Sequence, residues 1–213
     1  VIQVNPREVD WAHQYLDSGR VDGFILLTAS RKSAYIKSLV EMGAPFIAWG
    51  VANPTQNYST VNGDNISGGR LATEHLIHSG RQRIAFLGGP AAEPEIQLRY
   101  RGYESALQAA GRPIDPARVI YGEFCSTAGA EAMENLLERA PDLDAVFVNS
   151  DLGAIAAIEV IRRHGKRIPE DIAVVGYDDL SIASYNHPSL TTIRQNIPLA
   201  GKLLAQNLIQ FLK

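Results

Sequence analysis

The sequence predicts an α/β protein whose chain builds two doubly wound lobes with parallel sheets, joined by crossover strands. Three observations carry that reading. Short apolar, β-branched runs alternate with amphipathic stretches almost from end to end. Those runs are continuously apolar, as parallel strands covered on both faces must be. The alternation breaks twice, at 52–64 (ANPTQNYSTVNGD) and 187–196 (HPSLTTIRQN), where polar or extended chain runs without a helix. Two such interruptions suit a chain that crosses to a second lobe and returns. The expected first lobe is 1–62 plus 197–213, and the second is 63–196.

The predicted strands are VIQV at 1–4, DGFILLT at 22–28, PFIAWG at 45–50, RIAFLG at 83–88, VIYG at 119–122, AVFVN at 145–149 and IAVVGY at 172–177. Helical periodicity lies between them. Around 72–78, Leu71, His75, Ile77 and His78 are spaced as a buried stripe, and in 153–164 Ile155, Ile158 and Ile161 share a face. Helix stops are read at Gly80, Gly111 and Gly165, the last with Pro169 just beyond.

Composition narrows the function. The 213 residues carry 20 Lys and Arg against 23 Asp and Glu, a net charge of -3. A module that neutralises many phosphates usually carries a basic excess, so this stretch is a poor DNA reader. The single cysteine, Cys125, allows no internal disulfide and fits a reducing cytosol without proving it. No apolar run is long enough to span a bilayer. Val1–Pro6 reads as a strand entering a turn and not as a signal peptide, so a cytoplasmic protein is expected.

Catalysis is not expected. The chain has no Gly-x-Ser-x-Gly, His-Glu-x-x-His or Gly-x-x-x-x-Gly-Lys pattern. Carboxylate pairs such as Glu93/Glu95 or Asp151/Asp178 are weak indicators by themselves. The histidines (13, 75, 78, 164, 187) are scattered without metal-ligand spacing, and Gly88-Gly89-Pro90 lacks the dinucleotide fingerprint. Neither metal nor cofactor is expected.

Three blocks in order carry a resemblance. VNGDNISGGRLATEHLIHSGRQRIAFLGGP (61–90) has a Val-x-x-Asp-Asn strand end, a Gly-Gly helix and a strand closing on Gly-Gly-Pro. LRYRGYESALQAAG (98–111) has an Arg-x-x-Gly-aromatic helix start. PEDIAVVGYDDLSIASYNHPSLTTIRQ (169–195) closes on Pro-x-Leu-Thr-Thr-x-x-Gln. Together they resemble the lactose-repressor/galactose-repressor family of bacterial transcription regulators. The resemblance implies a periplasmic-binding-protein-like core (type I) with a small effector held between its lobes. It also implies a homodimer, and an N-terminal helix-turn-helix that reads operator DNA and is absent from this chain. Both ends look truncated against that pattern: the first strand and helix of the first lobe and a final strand are not seen. The competing reading is a periplasmic sugar-binding protein of a transporter, which shares the fold but typically lacks the last block. No membrane partner is expected.

Ligands of open α/β sheets lie beyond the carboxyl ends of the strands, and the resemblance marks effector contacts there. Arg99, in the Arg-x-x-Gly-aromatic motif, offers a planar fork suited to hydroxyl pairs or a carboxylate. Otherwise it is a surface arginine paired with Glu95 or Glu104; on the functional reading Arg99→Ala abolishes the effector response and leaves the fold intact. Asp178 matches a carboxylate that accepts from effector hydroxyls, and otherwise it or Asp179 caps the next helix. Phe124 matches an aromatic lying on the effector's apolar face, but a lone Phe is often core. Asp151 opens a helix, where it or Ser150 can serve as N-cap. Trp49 and Gln195 are chosen by position, the first as a stacking platform and the second for its amide. Glu95, with Glu93, can accept from effector hydroxyls or simply sit in a solvated acidic loop. The expected effector is a sugar or sugar phosphate first and a purine second.

Overall fold

The computed structural model describes residues 11–27, 34–52, 57–123 and 126–213. The predicted strand at 1–4 and Phe124 lie outside them. The chain divides into two compact units, Val1–Gly63 with Asn196–Lys213, and Asp64–Gln195.

The first unit holds α1 (Trp11–Leu16), β1 (Phe24–Leu27), α2 (Ala34–Glu41), β2 (Phe46–Trp49) and β3 (Ser59–Val61). The strands form a parallel sheet in the order β1-β2-β3. Side chains alternate across it as the pleat requires. Phe24 and Phe46 pack with Trp11, Ala12, Ile36 and Leu39 from α1 and α2. Ile47 packs with Leu204 and Leu208 of the C-terminal helix, with Trp49 and Val61 alongside. β3 falls inside the stretch read as polar turn. Its three residues, Ser-Thr-Val, are too few to stand out by periodicity.

The second unit runs α3 (Asn65–His78), β4 (Ile84–Gly88), α4 (Pro94–Ala109), β5 (Val119–Tyr121), α5 (Ser126–Arg139), β6 (Ala145–Val148), α6 (Asp151–Arg163), β7 (Ala173–Asp178), α7 (Ser181–Tyr185) and β8 (Thr191–Arg194). The last helix, α8 (Ile197–Phe211), belongs to the first unit. The five strands are parallel, in the order β5-β4-β6-β7-β8. Ile84, Phe86, Phe147 and Val175 face α3 and α4. Ala85, Leu87, Val146, Val148 and Val174 face α5 and α6. Helices therefore cover both faces, and strand order reverses between β4 and β6. Such a switch point opens a crevice at the carboxyl ends of the strands.

The three predicted helix stops hold. Gly80, Gly111 and Gly165 all have positive φ. Each closes a paired turn. Gly80 N–H donates to the Ile77 carbonyl (3.0 Å) and Arg81 N–H to the Leu76 carbonyl (3.1 Å), and the other two glycines repeat the pattern.

The stripe read along α3 is wrong in phase. Leu71 is 50% exposed, and His75 and His78 are also exposed. The buried face is Asn65, Gly68, Gly69, Ala72, Thr73 and Leu76. A search for large apolar residues misses it because α3 meets its neighbours through small ones. A Cβ on Gly68 would overlap the Tyr177 hydroxyl, one on Gly69 the Arg99 carbonyl, and one on Gly102 the Ile66 carbonyl. Gly102→Ala is therefore expected to destabilise the protein by about 1–3 kcal/mol through overpacking. This overrides the gain of roughly 1 kcal/mol that alanine brings inside a helix. A shift of the urea midpoint to lower concentration would record it, and a rise would show that α3 and α4 are not in close contact.

Candidate functional site

Each sequence block delivers a side chain to the carboxyl ends of the second unit's strands. At the start of α3, Asp64 is the N-cap, its carboxylate accepting from Ser67 N–H at 3.0 Å. That bond holds its pKa below the usual carboxylate value. With Asp64 occupied by the cap, the adjacent Asn65 is turned inward and buried.

Arg99 comes from α4 and is 7% exposed. It is not the surface arginine of the plainer reading, because its partners are neutral amides. Its Nε donates to Asn65 Oδ1 at 2.9 Å. Its Nη1 donates to the Asn149 carbonyl at 2.6 Å and to Asn149 Oδ1 at 3.1 Å. Asn149 follows β6, so the arginine spans the switch point between β4 and β6. The guanidinium carbon lies 3.6 Å from the centre of the Tyr177 ring, a cation–π contact. Burial lowers the Arg99 pKa, opposed by Tyr177, Asp178 and Glu95.

Asp178 ends β7 with φ 119° and Asp179 follows with φ 58°. The Asp179 value lies in the left-handed region that aspartate tolerates better than most residues, whereas that of Asp178 is strained for any residue with a Cβ. Neither caps α7, whose N-cap is Leu180 with no side-chain cap bond. Asp179 instead pairs with Arg194, and its backbone N–H donates to Thr192 Oγ1 at 3.3 Å. Asp178 Oδ1 accepts from Gln195 Nε2 at 2.7 Å, so the predicted acid and the predicted amide meet. Burial pushes the Asp178 carboxyl up, Arg99 and the Gln195 bond pull it down, and Asp151 raises it further.

Asp151 is fully buried. Ser150 is the N-cap of α6, its Oγ accepting from Gly153 N–H at 3.2 Å. Both Asp151 oxygens are committed elsewhere, Oδ1 to the Thr192 hydroxyl (2.5 Å) and Oδ2 to Leu180 N–H (2.7 Å). It ties α6 to β8 and to the loop carrying Asp178. Gly176 makes room, since a Cβ there would overlap Asp151 Oδ1. Asp151→Ala leaves that N–H and hydroxyl unsatisfied and is expected to cost about 1–3 kcal/mol, measurable by denaturation. A loss near zero would show the ties to be dispensable.

Glu95 lies in the first turn of α4, half-buried and close enough to raise the Arg99 pKa. Trp49 belongs to the first unit, where it ends β2. The structure thus gathers Arg99, Asp178, Gln195, Asp151 and Glu95 within one unit. Sequence reasoning missed Asn65, Asn149 and Tyr177, which hold Arg99. Asn65 stood inside the Val-x-x-Asp-Asn motif, but nothing in its spacing showed whether it or Asp64 would turn inward.

A doubly wound unit with a polar cluster at its switch point defines a small-molecule binding module. Residues 73–213 match the periplasmic binding protein-like domain. The HTH-type transcriptional regulator CelR of Thermobifida fusca is 43% identical over 92% of this chain and 58% of its own length. The HTH-type transcriptional repressor PurR of Haemophilus influenzae is 30% identical over 98% of this chain and 62% of its own. A CelR–cellobiose complex superposes with a TM-score of 0.89 at 41% identity, covering 96% of this chain and 63% of that one. A regulatory protein of the LacI family from Chloroflexus aggregans gives 0.87 at 31% identity, covering 96% and 74%.

The chain belongs to the lactose-repressor/galactose-repressor (LacI) family of transcriptional regulators. These relatives are regulators, neither enzymes nor transporter components. The chain spans 58% to 62% of the length of the two curated relatives. Among the described residues no helix is long and apolar enough to cross a membrane.

Proposed function

We propose that this chain is the effector-binding core of a bacterial transcription regulator, a repressor in the first instance. It binds a small sugar-like molecule at the strand ends of the second unit. The response passes to operator DNA through a helix-turn-helix outside this chain, in a cytoplasmic homodimer. One observation carries the reading: Asn65, Arg99, Asn149, Asp178 and Gln195 come from five separate places in the chain to one polar cluster, buried at the first three and half-buried at Asp178 and Gln195. Such convergence costs desolvation at every group, which a merely structural role does not require. The cellobiose held by a relative supports a sugar over a purine. By linkage, an effector changes operator affinity only by its differential affinity for two states of the regulator.

The experiment is a thermal-shift panel of the purified protein against cellobiose, other neutral sugars, sugar phosphates and purines. A ligand at a hundred times its Kd stabilises the native state by about 2.7 kcal/mol. A shift with sugars is expected. A response to purines alone would overturn the sugar assignment, and no response to any class would overturn the site.

A further inference from the structure

The guanidinium of Arg99 has little left with which to grip an anion. A planar anion is recognised by two parallel N–H groups, either Nε with Nη2 or Nη1 with Nη2. Here Asn65 takes Nε, and both oxygens of Asn149 take Nη1. Each two-pronged edge has lost a prong. What remains on Nη2 can meet a hydroxyl but cannot form the paired bonds that phosphate or carboxylate recognition uses.

The positive ends of the helices at this face are also spoken for. Helix N-termini are the ordinary anion sites of α/β proteins. The start of α3 is occupied by the Asp64 carboxylate. Glu95 sits in the first turn of α4 after Glu93 at its N-cap. Asp151 is the first residue of α6 and also takes the Leu180 N–H that leads into α7. Arg194, the strand partner of Asp178, is paired with Asp179. One buried arginine therefore stands near the carboxylates of Asp178 and Glu95. Meanwhile Asp178 Oδ2 carries no hydrogen bond among the described residues, an acceptor suited to a donating hydroxyl.

We infer that the second-unit site selects an uncharged polyhydroxylated ligand and rejects phosphorylated or carboxylated sugars, with Asp178, Glu95 and the amide-bound Arg99 as the specificity determinants. The inference rests on the sugar-site reading and narrows it. A like charge brought against fixed carboxylates costs several factors of ten in affinity.

The test is calorimetric titration of the wild-type protein with cellobiose, cellobionate and cellobiose 6′-phosphate, together with glucose and glucose 6-phosphate. The neutral sugar of a pair is expected to bind about a hundredfold or more tightly than its anionic partner. Glu95→Gln should narrow that ratio by raising the affinity of the anion. An anion binding as tightly as its neutral partner would overturn the inference while leaving a sugar site standing. A ratio unchanged in Glu95→Gln would remove Glu95 as a determinant and overturn the electrostatic account. If neither member of either pair binds, the sugar-site reading fails and the inference with it.

Discussion

Arg99→Met is expected to abolish effector-dependent stabilisation and to lower the stability of the free protein by about 1–3 kcal/mol, the scale for leaving buried polar groups without their partner. Methionine fills much of the space of the arginine stem, so the loss comes from the polar end. Without the guanidinium, Asn65 Oδ1 and both oxygens of Asn149 lose their donor, and Tyr177 loses the cation over its ring. The Asp178 carboxylate loses the charge that pulls its pKa down. Arg99→Lys keeps the charge but replaces a fixed fork by a single ammonium that cannot hold both asparagines. It is expected to fall between wild type and Arg99→Met in stability and to lose most of its ligand affinity. Urea denaturation reads the first quantity and calorimetric titration the second. A variant as stable as wild type would show that the amide network holds without its arginine. A variant that still binds sugar as tightly would remove Arg99 from the site. The sequence reading expected replacement of this residue to spare the fold; its burial at 7% exposure is the reason a stability loss is expected instead.

That difference marks where the sequence stops being informative. The parallel α/β class followed from strand runs that are apolar at every position, because a strand covered on both faces leaves no polar side to hide. The glycine stops were legible for the same local reason: only a residue without a Cβ accepts the positive φ that ends a helix cheaply. Motifs could mark Arg99, Asp178 and Gln195 as functional, but not what surrounds them. Asn149 was read only as the end of a strand, and its role appears once β6 lies beside β4 in the sheet, although α4, β5 and α5 separate them in sequence. The buried face of α3 was missed because close helix packing selects glycine and alanine, which carry no apolar period to count. Asp151 was read as a cap competing with Ser150. Its actual partners, Leu180 and Thr192, lie 29 and 41 residues away. Contacts at that separation are set by strand order, which local pattern does not contain.

Asp178→Asn separates the chemistry of the site from its architecture. Asparagine is nearly isosteric, carries no more backbone strain at φ 119° than aspartate does, and keeps an oxygen for the Gln195 amide. Burial already disfavours the carboxylate, so losing its charge is expected to leave stability unchanged or slightly raised. Binding should respond in the opposite direction. A hydrogen bond from a ligand hydroxyl to a charged acceptor is worth about 1.5–3 kcal/mol, so affinity for a neutral sugar should fall roughly 10- to 150-fold. The pH dependence gives an independent readout. The folded-state pKa of Asp178 is raised, so on acidification the wild-type carboxylate takes up a proton at a pH above the ordinary aspartate value. Wild-type affinity should therefore weaken as pH falls through that raised pKa and be fully present above it. In Asp178→Asn the affinity should be lower and should not change across the same interval. Titrations at a series of pH values distinguish the cases. An asparagine variant whose affinity follows pH as wild type does would assign the titration to another group. One that binds as tightly as wild type would show that Asp178 does not face the effector.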